Sequence, residues 1–442
     1  MISATRSRSR ARSRRAIAAV TAATALSTLA ATGAHADHWA EAPPALLGFS
    51  AERLERLTGV MQGYVEDGTL PGIVILVAKD GHVAYQRAFG LQDVEAQTPM
   101  EVDTIFRIAS QTKAITSAAV LLLQEEGRLL VDDPVGKYMP EWMETTVAVE
   151  NGEGGYDVVP AERPITIRDL LTHTSGIPYG SWLNGLTDEA WEEAGITGWY
   201  FASDDEPIRE VVRRMAGLPM IAQPGTEYLY GSNTDILGAL VEVVSGQPLD
   251  AFFQERFFDP IGMTDTHFFL PEAKADRLAT VYDMTADGLT PAADTGAMWA
   301  QGDYVVGDGP NVTFSGGAGL MSTAHDYAAF LEMLRQGGVT SGGERILSPM
   351  TVTLMTTNHL GDIEFEAGAG FGYGFRVALD PGALGVPVNE GEFSWGGAYH
   401  STYWVDPEEE MVVTYFTQLG EDTMGVDDHA KLRTLIYQAI VE

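Results

Sequence analysis

Five lysines occur in the 442-residue chain, at positions 79, 113, 137, 274 and 431, and only Lys113 has a serine three residues before it. Ser110-Gln111-Thr112-Lys113 opens an apolar run, Ala114 to Leu123, that ends near Gly127 and reads as a buried helix. Residues i and i+3 share a helical face, so the lysine stem can bring its amine beside the serine oxygen. Burial disfavours the charged amine, which makes Lys113 a usable base near neutral pH. Free N–H groups at the start of the helix favour an oxyanion forming there. A serine that acylates itself needs these features, yet Ser-x-x-Lys taken alone is better read as a helix cap beside a partly buried lysine.

Two further elements add polar groups. Tyr230 stands in the loop Pro224 to Asn233, just before an apolar helix over Ile236 to Val244. A phenol held near a cation can shuttle a proton to a leaving group, and a tyrosine at this place can also be plain core packing. Ser394-Trp395-Gly396-Gly397-Ala398 lies in a β-rich run, where paired glycines either let a substrate approach the backbone closely or mark a bulge. His400 is near enough to Ala398 in sequence to line the same pocket, whereas His173 reads as part of a structural turn.

The elements that must position these residues come from both chain ends. Ser50 to Glu66 has helical spacing of Leu54, Leu57, Val60, Met61 and Tyr64, and the β-branched runs Ile73–Ala78 and His82–Phe89 flank a turn at Lys79-Asp80-Gly81. Near the other end Gly372–Ala378, Glu392–Val405 and Met411–Gln418 read as strands, the last two joined at Asp406-Pro407. A helix with Leu432, Leu435, Ile436, Ala439 and Ile440 on one face follows. Residues 111–335 carry mostly helical patterns, with 147–164 a long loop or small hairpin. The expected fold is α/β: an antiparallel sheet formed by both ends (37–110 and 336–442) and flanked by helices, with a mostly helical lobe (111–335) inserted, together one catalytic domain.

Ser-x-x-Lys, the Tyr230 loop and Trp-Gly-Gly, in that order, resemble the serine β-lactamase-like superfamily, specifically class C β-lactamases and family VIII carboxylesterases. The phrases Thr166 to Gly176 and Ser315 to Thr323 extend the resemblance over nearly the whole chain beyond residue 36. The resemblance implies that Ser110 is the nucleophile, Lys113 the base or its partner, and Tyr230 the second proton-transfer group. The N–H groups of Ser110 and Ala398 would form the oxyanion hole, a device worth ~3 to 4 kcal/mol per donor. Ser232, Trp395, Gly396, Gly397 and His400 would bind substrate. Two departures stand out. Trp395-Gly396-Gly397 replaces the Lys-Thr-Gly of β-lactamases, and Tyr-Gly-Ser replaces Tyr-x-Asn, leaving Ser232 or its neighbour Asn233 in the polar position. The loss of the lysine removes a partner for a substrate carboxylate. The expected activity is hydrolysis of small neutral carboxylic esters through an acyl-enzyme. The alternatives are a β-lactamase, a D-amino-acid peptidase or amidase, and a non-catalytic penicillin-recognising domain.

Composition narrows the rest. There is no cysteine, which excludes thiol catalysis, disulfides and thiolate metal sites. Neither Gly-x-Ser-x-Gly nor His-Glu-x-x-His occurs and the nine histidines are scattered, so neither an α/β-hydrolase nucleophile elbow, a metal nor any other cofactor is expected. Residues 1–36 hold six arginines and no acid, followed by an alanine-rich stretch closing on Ala34-His35-Ala36, the order of a secretory signal peptide. Arg14-Arg15 also fits the twin-arginine route, and an organelle transit peptide is the alternative. Export to the periplasm or beyond follows as the expected localisation. The formal charge is −35, and removing those six arginines leaves −41. Such a surface repels nucleic acid and anionic lipid, and no later apolar run reaches the ~18 to 20 residues that cross a bilayer. The expected partner is a small ester or amide.

Overall fold

Alternation along the central strands decides the layering. In the computed structural model, helix α1 (Ala51–Glu66) is capped by the Ser50 side chain and leads into strands β1 (Gly72–Lys79) and β2 (His82–Asp93). Along β1, Ile73, Ile75 and Val77 join a core containing Leu54, Leu57 and Met61 of α1, with Leu432 and Ile436 from the last helix. Val74, Leu76 and Ala78 point the other way, into a core with Ile115, Ala118 and Leu122. A strand buried on both faces needs apolar residues at every position, and each such side chain contributes roughly 1.5 to 3 kcal/mol by leaving water.

The structure describes residues 40–180, 185–198, 201, 206–293, 306, 311–420 and 425–441. The arginine-rich segment 1–36 and Trp182, Trp199 and Trp299 lie outside these. Residues 37–442 form one compact unit. Helices α2 (Thr112–Glu125) and α3 (Asn233–Ser245) pack together beneath the sheet, which is completed by β3 (Ala369–Phe371), β4 (Arg376–Ala378), β5 (Phe393–Gly397), β6 (Ser401–Asp406) and β7 (Met411–Phe416); helix α4 (Asp428–Tyr437) ends the fold. The sheet runs β2-β1-β7-β6-β5-β4-β3, all antiparallel, so β1 pairs with β7 from the far end of the chain.

Three expectations change. A two-residue strand, Ala40–Glu41, joins β2 in parallel, so the sheet is mixed rather than purely antiparallel. Gly372–Ala378 is not one strand: the chain turns between β3 and β4, where Gly374 has φ 91° and a Cβ there would lie 2.7 Å from Ser117 Oγ. Glu392–Val405 likewise folds back on itself. Gly397 pairs with Ser401, leaving Ala398, Tyr399 and His400 as the turn between β5 and β6. β-forming residues on both sides hid that turn, and the residue at its left-handed position is a histidine, φ 60°, rather than the usual glycine. The segment read as a loop or small hairpin is a hairpin, Thr146–Glu150 paired with Tyr156–Pro160.

Candidate active site

Ser110 sits in a single 3-10 turn, Ala109–Gln111, that opens directly into α2. Ala109 before it has φ 43°, an uncommon conformation for a residue with a side chain and one that clusters at functional sites. From Thr112 to Leu123 every residue of α2 is buried, so the turn rests on a rigid base. Lys113, 2% exposed, reaches back along the helix face, and its Nζ lies 3.3 Å from Ser110 Oγ. The same nitrogen donates to Tyr179 Oη at 2.6 Å and to the Gly317 carbonyl at 2.8 Å. As an ammonium it thus has an acceptor for each of its protons.

The Gly317 carbonyl is itself held. Asp235, in the first turn of α3 and 1% exposed, accepts from Ser315 Oγ at 2.6 Å and from the Gly317 N–H at 3.1 Å. Burial pushes its carboxyl above the usual carboxylate range, against the Ser315 bond and the Lys113 charge. The glycines admit this packing: a Cβ on Gly316 would stand 2.7 Å from the Thr234 carbonyl.

Two tyrosines cover the lysine. Tyr179 is 3% exposed, and burial first, then the neighbouring Tyr230 and Asp235, push its phenol well above the ordinary value; its ring meets that of Tyr230 edge-on, centroids 5.4 Å apart. The Tyr230 ring lies 4.7 Å from Lys113 Nζ, and Trp395 Nε1 donates to Tyr230 Oη at 3.1 Å. The sequence reading chose Tyr230 and missed Tyr179, although Tyr179 follows the motif ending at Gly176 by three residues. Asp235 was also missed, and a carboxylate at the head of an otherwise apolar helix was the available signal. Behind Tyr230, His173 has φ 54°, its ring 4.7 Å from the Tyr230 ring and its Nδ1 3.0 Å from Asn233 Nδ2. Burial and then the Lys113 charge hold this imidazole well below its usual pKa, so it stays neutral.

The opposite wall comes from the sheet. Ser110, Tyr179, Tyr230, Trp395, Gly396, Gly397, Ala398 and His400 all line one cavity of about 820 Å³. β5 comes close beside the Ser110 turn, because a Cβ on Gly397 would lie 2.5 Å from the Ile108 carbonyl. Trp395 is more than an apolar face. Its ring packs on Tyr230 and Phe371 while its N–H serves the Tyr230 oxygen. Ser232 does not join the cavity lining: it stands just before α3, is fully buried, and its N–H donates to the Pro178 carbonyl. Asn233, the other residue considered there, is spent on His173 and Ser175. Trp191 packs in the core, its N–H on the Pro219 carbonyl.

Two arginines reach the cavity wall, and both are paired. Arg376 makes two bonds to Glu366 at 2.6 and 2.8 Å, and Arg433 two to the buried Glu392 at 2.6 and 2.9 Å. The histidines that are scattered in sequence meet at one place. Ligand atoms of His400, Asp428 and His429 lie within 4.8 Å of one another, although both imidazole Nε2 atoms already have protein partners, Asp428 and the His400 carbonyl.

Comparison with known proteins agrees with this geometry. The beta-lactamase family profile matches residues 57–438. Protein Rv1367c of Mycobacterium tuberculosis is 34% identical over 396 residues, covering 83% of this chain and 92% of that protein. Esterase EstB of Burkholderia gladioli is 32% identical over 400 residues, covering 88% and 96%. The solved structure of EstCE1, a hydrolase with promiscuous acyltransferase activity, superposes with a TM-score of 0.74 at 29% identity, covering 87% of this chain and 98% of its own. The buried serine-and-lysine pair faced by a strand of the sheet therefore belongs to a member of the beta-lactamase family.

Proposed function

We propose that this protein is an exported carboxylesterase that hydrolyses small neutral esters through an acyl-enzyme on Ser110. In this reading Ser110 Oγ attacks the ester carbonyl, and its proton passes to the Lys113–Tyr179 pair that it touches. The N–H groups of Ser110 and Ala398 receive the oxyanion from two sides of the cavity. Tyr230, packed against Tyr179 and Lys113, returns a proton to the leaving alcohol, and water then releases the acid by the reverse route. Among members of the family, the Trp-Gly-Gly strand sets the chain nearer to family VIII esterases than to class C β-lactamases. Export rests on the composition of residues 1–36.

The observation that carries the substrate class is Trp395. It fills the place of a lysine on the strand beside Ser110, donates to Tyr230, and leaves a cavity whose arginines are already neutralised. An anionic substrate therefore finds no free cation among the described lining residues, and truncating such charge pairs commonly costs ~2 to 5 kcal/mol. The test is turnover of p-nitrophenyl butyrate beside a chromogenic cephalosporin. The expected kcat/KM ratio favours the ester by ~100-fold or more, and Trp395→Lys should narrow it by improving the cephalosporin. Equal turnover of the two substrates by the unaltered protein would replace the esterase reading with a β-lactamase.

A further inference from the structure

The turn that carries Ala398 is short and held in an uncommon conformation. Three residues connect β5 to β6, and the last of such loops takes left-handed angles that glycine adopts freely. Here that residue is His400, φ 60°. A side chain at this position persists when its surroundings over-determine it, and helix α4 supplies them. His400 Nε2 donates to Asp428 Oδ1 at 2.9 Å, and the Asp428 side chain is 0% exposed. The other Asp428 oxygen accepts from Tyr415 Oη on β7. The His429 ring stacks on His400 with centroids 4.2 Å apart and planes 16° from parallel, and its Nε2 donates to the His400 carbonyl at 3.1 Å. Side chain and carbonyl of His400 are thus both tied to the first turn of α4. The sheet does not need these ties, since the strand pairing is already closed at Gly397 and Ser401.

We infer that His400 is a positioning residue: through Asp428 and His429, helix α4 fixes the Ala398–His400 turn and so sets where the Ala398 N–H meets the reacting carbonyl. His400 then acts through the backbone rather than by binding substrate with its ring. The inference rests on the acyl-enzyme reading above and adds to it the element that aims the second oxyanion donor. A donor moved by a fraction of an ångström weakens transition-state binding more than substrate binding, so the loss falls on kcat rather than KM.

The experiment uses the full chain with His400→Gly and His400→Gln. Two measurements are made: steady-state turnover of p-nitrophenyl butyrate, and the rate of fluorophosphonate labelling at Ser110. Glycine suits the backbone angles of position 400, so the fold is kept while the tie to Asp428 is lost. The expected result is a kcat lower by ~10 to 100-fold, a KM within ~3-fold and a melting temperature within a few degrees of the parent. Glutamine carries an amide N–H at the reach of Nε2 and should restore most of kcat. A glycine variant within ~2-fold of the parent in kcat, a KM that rises in step with the loss, or a loss that glutamine leaves unrepaired overturns the positioning role. A parent that is labelled at Ser110 but turns over the ester poorly would count against the esterase reading only, because the labelling rates of parent and variants then decide the role of His400.

Discussion

On the helical side of the cavity, Ser110, Lys113, Tyr179 and Asp235 are locked by direct bonds at the buried N-terminal ends of α2 and α3. On the sheet side, Trp395 to His400 form a half-exposed strand end whose turn is fastened from outside by α4. The first wall carries groups that gain or lose protons; the second offers backbone N–H groups, a cavity and an indole. The contrast shows where each kind of function is specified. In the proposed reading, proton chemistry is set by contacts a few ångströms long around one lysine, whereas the aim of the second oxyanion donor depends on an element nearly 30 residues further along the chain, at Asp428.

Several substitutions would break or sharpen this contrast. Ser110→Ala should abolish covalent labelling by a fluorophosphonate with the melting temperature preserved, since one oxygen on the helical wall is deleted; persistent labelling of another serine in intact-mass analysis would end the assignment. Tyr230→Phe should lower kcat by at least ~100-fold, the scale of general acid–base catalysis, and Tyr179→Phe by ~10 to 100-fold, because Lys113 loses one acceptor but keeps Ser110 and Gly317. If the order of the two losses reverses, Tyr179 rather than Tyr230 serves the leaving alcohol and the helical wall alone manages the protons.

The smallest effect concerns acid stability of the sheet wall. Burial, and then the His400 charge, push the His429 imidazole down to about 4. The unfolded chain takes up that proton from about pH 6.5 downward while the folded chain refuses it until about 4, so stability is lost as pH falls through this window. We expect a melting temperature on the order of 3 °C lower at pH 5 than at pH 7, and a shallower slope in His429→Gln. An unchanged slope in that variant would place the acid-sensitive group elsewhere.

How far the sequence could be read follows the same division. Ser110 and Lys113 were legible because a three-residue spacing on one helix is a local fact. The runs Ile73–Ala78 and Met411–Gln418 were legible as strands because each is a nearly continuous stretch of apolar and β-branched residues, and the fold then shows them buried at the sheet centre. Tyr179 was hidden because its contact with Lys113 spans 66 residues, and no local pattern marks a phenol that will meet an amine. The turn at Ala398–His400 was hidden because tertiary bonds, not turn-forming residues, hold it. Ser232 was misplaced for the opposite reason. Its position beside Tyr230 suggested a shared pocket, but the residue at the head of buried α3 is carried into the interior.

The pairing of β1 with β7 has a bearing on how the chain folds. Residues 72–79 and 411–416 meet across more than 300 residues of intervening sequence, and loop closure over such a span must precede any gain from the contact. Until β7 arrives, β1 presents an unpaired edge of Gly-Ile-Val-Ile-Leu-Val, an aggregation-prone segment. A ribosome makes the partner strand more than 300 residues after β1, so β1 waits with that edge open to other chains while the residues between are being made.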